Sequence, residues 1–198
     1  MTREQESTIQ QTTTAPPGIT QTSMPQTPTP ASVTETANWK MFTHLKYKYS
    51  FRYPPESTIA GHVNLQDNPE NASEISVLIG SAPRGSIFDA RGGYETYKNL
   101  DLKAFTERIW QMNKGDKNPN FPNKSVGDIT RTTIAGRTAY QFSLTGAYID
   151  ESREKSLLGH EYIYIFVTNT AEDKLMLDFP SKNNLAQNIL QTFQFTGE

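Results

Sequence analysis

The sequence predicts an α+β fold in which an antiparallel β-sheet is flanked by helices. Three observations predict it. Runs of aromatic and β-branched residues alternate with polar ones at period two, the signature of strands. Short turn-forming segments join several of these runs. Two further segments, one in mid-chain and one near the C-terminus, carry apolar residues at helical spacing. Strands joined by short turns pair antiparallel, and a sheet with two apolar faces needs two covers. Spacing alone does not assign either helix to a face.

The first boundary lies at Asn38–Trp39. Residues 1–37 contain eleven Thr, five Pro, five Gln and three Ser, and their sizeable apolar residues are Ile9, Ile19, Met24 and Val33. Such a segment cannot bury enough surface to offset the entropy of ordering it. Its spaced prolines favour extended polyproline II, so residues 1–37 are expected to be a disordered tether. Residues 38–198 then form one globular domain, of a size that builds a core without staples.

Within the domain, Lys48–Tyr53 alternates as a strand with Tyr49, Phe51 and Tyr53 on one face, ended by Pro54-Pro55. Ile75–Ile79 is a second strand, and a weaker one is expected over Gly61–Gln66. A helix is predicted over Asn99–Lys114, because Leu102, Phe105, Ile109 and Met112 make one stripe. Asn99 or Asp101 can cap it and Gly115 can end it. Asp128–Ile134 and Arg137–Leu144 form a hairpin about Ala135-Gly136, where glycine accepts a positive φ. Glu161–Thr168 is rich in β-formers and expected to be central, and Lys174–Phe179 returns antiparallel beside it. Ser181 is the expected N-cap of a closing helix with Leu185, Ile189 and Phe193 inward. The predicted core is Trp39, Phe51, Tyr53, Phe105, Ile109, Phe142, Ile163, Ile165, Leu177 and Phe193.

Composition removes several chemistries. Without cysteine there is no disulfide, thiolate metal site or cysteine nucleophile. A net charge of −2 gives no general attraction to nucleic acid or an anionic membrane. No apolar run approaches the 20 or so residues that span a bilayer. The Walker, dinucleotide and nucleophile-elbow motifs are absent. His44, His62 and His160 have no metal-ligand spacing and read as surface or edge residues; no cofactor is implied. Asp67, Glu70 and Glu74 read as solvated loop charge, and Asp150–Lys155 as a hairpin tip. Two long loops remain, over Pro83–Tyr97 and Asn113–Lys124. Long loops on a rigid sheet often bind partners. The candidate partner-binding residues there are Arg84, Arg91, Tyr94, Lys117 and Phe121.

Tyr49-Ser-Phe-Arg-Tyr-Pro-Pro55, after the aromatic start Trp39–Phe42, is similar to the opening strand of the PsbP-like family. Ile134-Ala-Gly-Arg-Thr-Ala-Tyr140 resembles that family's hairpin turn, and Ile189–Phe195 its closing helix and Thr-Phe-x-Phe finish. The likeness runs from about residue 39 to 195 and rests on structural motifs. It implies an α/β/α sandwich around an antiparallel sheet, secretion, and anchoring by lipid or membrane; it transfers no site residue. The expected function is a non-enzymatic, extracytoplasmic protein-interaction module on a flexible tether. Its partner would be an envelope protein or assembly, its state monomeric, and its membrane attachment an anchor upstream of Met1. The alternative is a carrier of a small ligand or lipid, and a third reading is an enzyme using distant carboxylates or His160.

Overall fold

The computed structural model describes residues 36–61, 69–79, 86–115, 124–146, 161–169 and 173–197. Expectations for the tether, for the strand beyond Gly61, for His62 and His160, and for the 150–155 tip lie outside the described residues.

Eleven strands and two α-helices follow one another in the described chain. They are β1 (Lys40–His44), β2 (Tyr49–Tyr53), β3 (Ser57–Gly61), β4 (Glu74–Ile79), β5 (Ser86–Arg91), α1 (Leu102–Gly115), β6 (Ser125–Val126), β7 (Thr130–Ile134), β8 (Arg137–Thr145), β9 (Glu161–Thr168), β10 (Lys174–Pro180), α2 (Asn184–Gln191) and β11 (Gln194–Phe195). The large sheet runs β3-β4-β5-β10-β9-β8-β6, with β7 also paired to β8, and a small sheet runs β1-β2-β11. All the described pairings are antiparallel.

The predicted hairpin is present. Ile134 pairs with Arg137 across a two-residue turn, in which Ala135 has φ 47° and Gly136 φ 79°. Two consecutive positive φ values make the turn that matches the twist of a tight hairpin. β9 lies between β10 and β8, central as expected, and β10 returns beside it.

Alternation along the central strands separates two cores. Ile165 and Val167 of β9 and Leu175, Leu177 and Phe179 of β10 face one side, with Ile75, Val77, Phe88 and Ala90 of β4 and β5. Phe42, Tyr49 and Phe51 of the small sheet pack there, as do Ala186, Ile189 and Phe193 at α2. Phe166 and Met176 face the other side, where Phe105 of α1 and Phe142 join them. Thus α1 covers one face, whereas α2 shares the other with the small sheet. A pair of helical covers alone is therefore too simple; the opening aromatic hairpin supplies half of one layer.

Several further expectations are corrected. Ser86–Arg91, read as loop, is strand β5, and Ser57–Gly61 is strand β3. Met112 lies on the predicted stripe but is 50% exposed. Trp39, Tyr53, Ile109 and Ile163 are half-buried at the core margins, and the other six predicted core residues are buried. Asn183, not Ser181, caps α2: its side chain accepts from the Ala186 N–H at 3.0 Å. Proline at 180 ends a strand that runs one residue further than the alternation suggested.

Candidate functional site

The α1-side face of β4, β5 and β10 carries a cluster of charged side chains. Asp178 of β10 sits opposite Asp89 of β5, and Arg91 sits opposite both Met176 and Glu74. The period-two alternation puts these side chains on one face. Arg91 Nε lies 3.0 Å from Glu74 Oε1 and 3.5 Å from Asp178 Oδ1, and Nη2 lies 3.9 Å from Asp89 Oδ2. Asp89 Oδ1 also accepts hydrogen bonds from the hydroxyls of Ser76 and, at 2.6 Å, Ser86.

Arg91 Nε and Asp178 Oδ1 are both buried without an aligned hydrogen bond, so their attraction is Coulombic. Burial pushes the Asp178 carboxyl up to about 8, with the Asp89 charge adding to the rise and Arg91 opposing it. Burial works against the charge on Arg91, but Asp178, Glu74 and Asp89 outweigh it and hold the guanidinium ionised. Tyr94 borders the cluster, its ring 4.9 Å from Phe105 and its hydroxyl 3.7 Å from Met176 Sδ. Burial raises its phenol to about 12.

Two of the five predicted binding residues, Arg91 and Tyr94, therefore meet at this cluster. Arg91 ends strand β5, and Tyr94 lies in the short loop that follows it, with its ring packed against Phe105 of α1. Arg84, Lys117 and Phe121 lie outside the described residues. Glu74, read as solvated loop charge, is corrected to the first residue of β4 and an Arg91 partner. Sequence reasoning missed Asp89 and Asp178. A carboxylate inside the apolar run Leu175-Met-Leu-Asp-Phe179 was the available signal. Among the described residues no three His, Asp or Glu side chains are placed to hold a metal ion. The guanidinium occupies the position between the carboxylates that a cation would take.

A second feature lies on the opposite face. An open groove of about 840 Å³ runs between α2 and β7, β8 and β9. Ile134, Ile163, Ile165, Phe179, Leu190 and Phe193 make it apolar, and Gln141, Gln187 and Gln191 supply amides. Among the described residues, no ionisable side chain lines it.

His44, expected at the surface, is buried. Its Nε2–H donates to the Ala72 carbonyl at 2.7 Å, and its Nδ1 accepts from the Tyr47 N–H at 3.1 Å. Both ring nitrogens are occupied in the neutral form, so this histidine is structural.

No protein-family model matches the sequence, and no curated protein matches it. Solved structures do match. The solution structure of cyanobacterial PsbP (CyanoP) from Synechocystis sp. PCC 6803 aligns with TM-score 0.52 and 10% identity, over 79% of this chain and 91% of CyanoP. This chain has the PsbP fold. The Ran-binding protein Mog1p of Saccharomyces cerevisiae aligns with TM-score 0.43 and 10% identity, over 80% of this chain and 95% of Mog1p. At this identity the likeness to CyanoP concerns fold, and the resemblance seen in the strand and turn motifs is structural. Among the described residues of this PsbP-fold chain, no helix is long and apolar enough to cross a membrane.

Proposed function

We propose that this PsbP-fold protein is a non-enzymatic interaction module that holds a partner protein in the groove between α2 and β7–β9. The observation that carries the reading is the groove itself. Partly exposed Ile163 and Leu190 line it above buried Ile165, Phe179 and Phe193, beside the amides of Gln141, Gln187 and Gln191, a mixture of apolar and polar groups found where protein surfaces meet. Its uncharged lining suits a neutral segment, because burying a charge there would leave it without a counter-ion. The tail of residues 1–37 acts as the tether, and the module works at the cell envelope outside the cytoplasm.

The groove also motivates the carrier reading, since about 840 Å³ lies within the usual range for small-ligand sites. A carrier encloses most of its ligand, whereas this groove is open to solvent, and that favours a macromolecular partner.

The test places a photo-crosslinking residue at Gln187 of the full-length protein in its native envelope, with Leu190→Glu as the comparison. A specific adduct with one protein, lost in Leu190→Glu while circular dichroism stays native, is the expected result. An adduct unchanged by Leu190→Glu removes the groove from the interaction. A co-purifying lipid or small molecule lost in Leu190→Glu, with no protein adduct, replaces this reading with the carrier.

A further inference from the structure

The charged cluster on the other face supports an inference independent of the groove. We infer that Asp89 and Asp178 share one proton, and that its release to solvent draws Arg91 from Glu74 onto Asp178, leaving Glu74 as a free surface charge.

The register carries this first. Asp178 and Asp89 are direct cross-strand partners on the central strands β10 and β5. Side chains so placed lie about 5 Å apart at Cβ, and two like charges there repel. One guanidinium is shared among three carboxylates, which leaves an excess of two negative charges if all ionise. Holding one proton halves that excess.

The surroundings decide which carboxyl holds it. Asp89 accepts two serine hydroxyls, and hydrogen bonds to a carboxylate favour its ionised form. Asp178 is 4% exposed, and its Oδ1 accepts no hydrogen bond. The proton therefore resides on Asp178. Its perturbed titration, raised by burial and then by Asp89, agrees.

Three strands and the segment after β5 bring ionisable groups to face Asp178. β5 contributes Asp89 and Arg91, β4 contributes Glu74, and β9 contributes Tyr164. Tyr94, just after β5, also feels its charge. Burial raises both phenols, so they stay neutral while Asp178 ionises. Arg91 is the mobile part. Its Nε lies between Glu74 Oε1 at 3.0 Å and Asp178 Oδ1 at 3.5 Å, so changing partners requires only a small displacement. Glu74 is 30% exposed at the side chain, and loss of Arg91 presents its charge to solvent.

The experiment is a carbon-detected NMR titration of the aspartate and glutamate carboxyls and the arginine Nε signals in the full-length protein. Wild type, Asp178→Asn and Asp89→Asn are compared. One aspartate is expected to titrate near pH 8 in wild type, with the Glu74 and Arg91 signals moving at the same midpoint. Asp178→Asn abolishes that transition. Asp89→Asn lowers its midpoint by about one unit or more, because the opposed charge is gone. This second variant keeps the test open if Asp178→Asn fails to fold. An Asp178 carboxyl that titrates in the ordinary range overturns the inference. So does a midpoint unmoved in Asp89→Asn, or a transition that leaves Glu74 and Arg91 unaffected.

Discussion

His44 and Gly92 show how single residues fix local structure. His44 is neutral because the Ala72 carbonyl takes its one N–H while its other nitrogen accepts from Tyr47. Burial lowers its pKa from the usual 6.5, against the Ala72 hydrogen bond. The folded state thus binds a proton less readily than the unfolded chain. The stability His44 contributes is complete above about pH 6.5 and is lost as pH falls below it. His44→Gln keeps a side-chain donor without the titration, so its melting temperature should fall less than wild type between pH 7 and pH 5. Equal slopes would show that His44 does not titrate on unfolding. Gly92 illustrates close approach. A Cβ there would come within 2.5 Å of the Tyr47 ring, which is buried beneath it. Gly92→Ala should therefore destabilise by about 1–3 kcal/mol in urea unfolding, the usual cost of overpacking.

At the scale of elements, caps and stripes set the helix ends. Asp101 Oδ1 accepts from the Ala104 N–H at 2.7 Å and starts α1, as the sequence allowed. α2 is capped two residues later than predicted, by Asn183. Asn183→Ala should cost about 1 kcal/mol, and Ser181→Ala much less, because its hydroxyl caps nothing. Equal losses in thermal melts would return the cap to Ser181. The hairpin of β7 and β8 was legible because glycine in a two-residue turn has few alternatives. β5 was not, because Ser-Ile-Phe-Asp-Ala-Arg places two charges in a central strand and lacks clean alternation. Those charges are the same ones that build the Arg91 cluster, so the feature that hid the strand is the candidate site.

In the whole molecule, the large sheet separates two apolar layers that share no buried residue. Phe51 packs against Phe88 and Phe193 on one side, and Phe105 packs against Phe166 on the other. Phe51→Leu and Phe105→Leu should each destabilise, and the double variant should show their sum within about 0.5 kcal/mol. A larger discrepancy in urea unfolding would mean that the sheet transmits strain between the layers. The same separation places the uncharged groove and the charged cluster on opposite faces, so a ligand in one does not touch the other.

The sequence by itself determined the α+β class, the β7–β8 hairpin, the central β9–β10 pair, α1 and most of the core. Each of these follows from local periodicity, turn chemistry or capping. Only the tertiary structure decided that the opening aromatic hairpin forms half of a covering layer, that His44 is buried, and that Arg91 meets Glu74, Asp89 and Asp178. Glu74 and Asp178 are far apart in the chain, and their meeting depends on strand order and register. Period-two patterning says which face a residue takes within its own strand; it does not say which strand lies beside it.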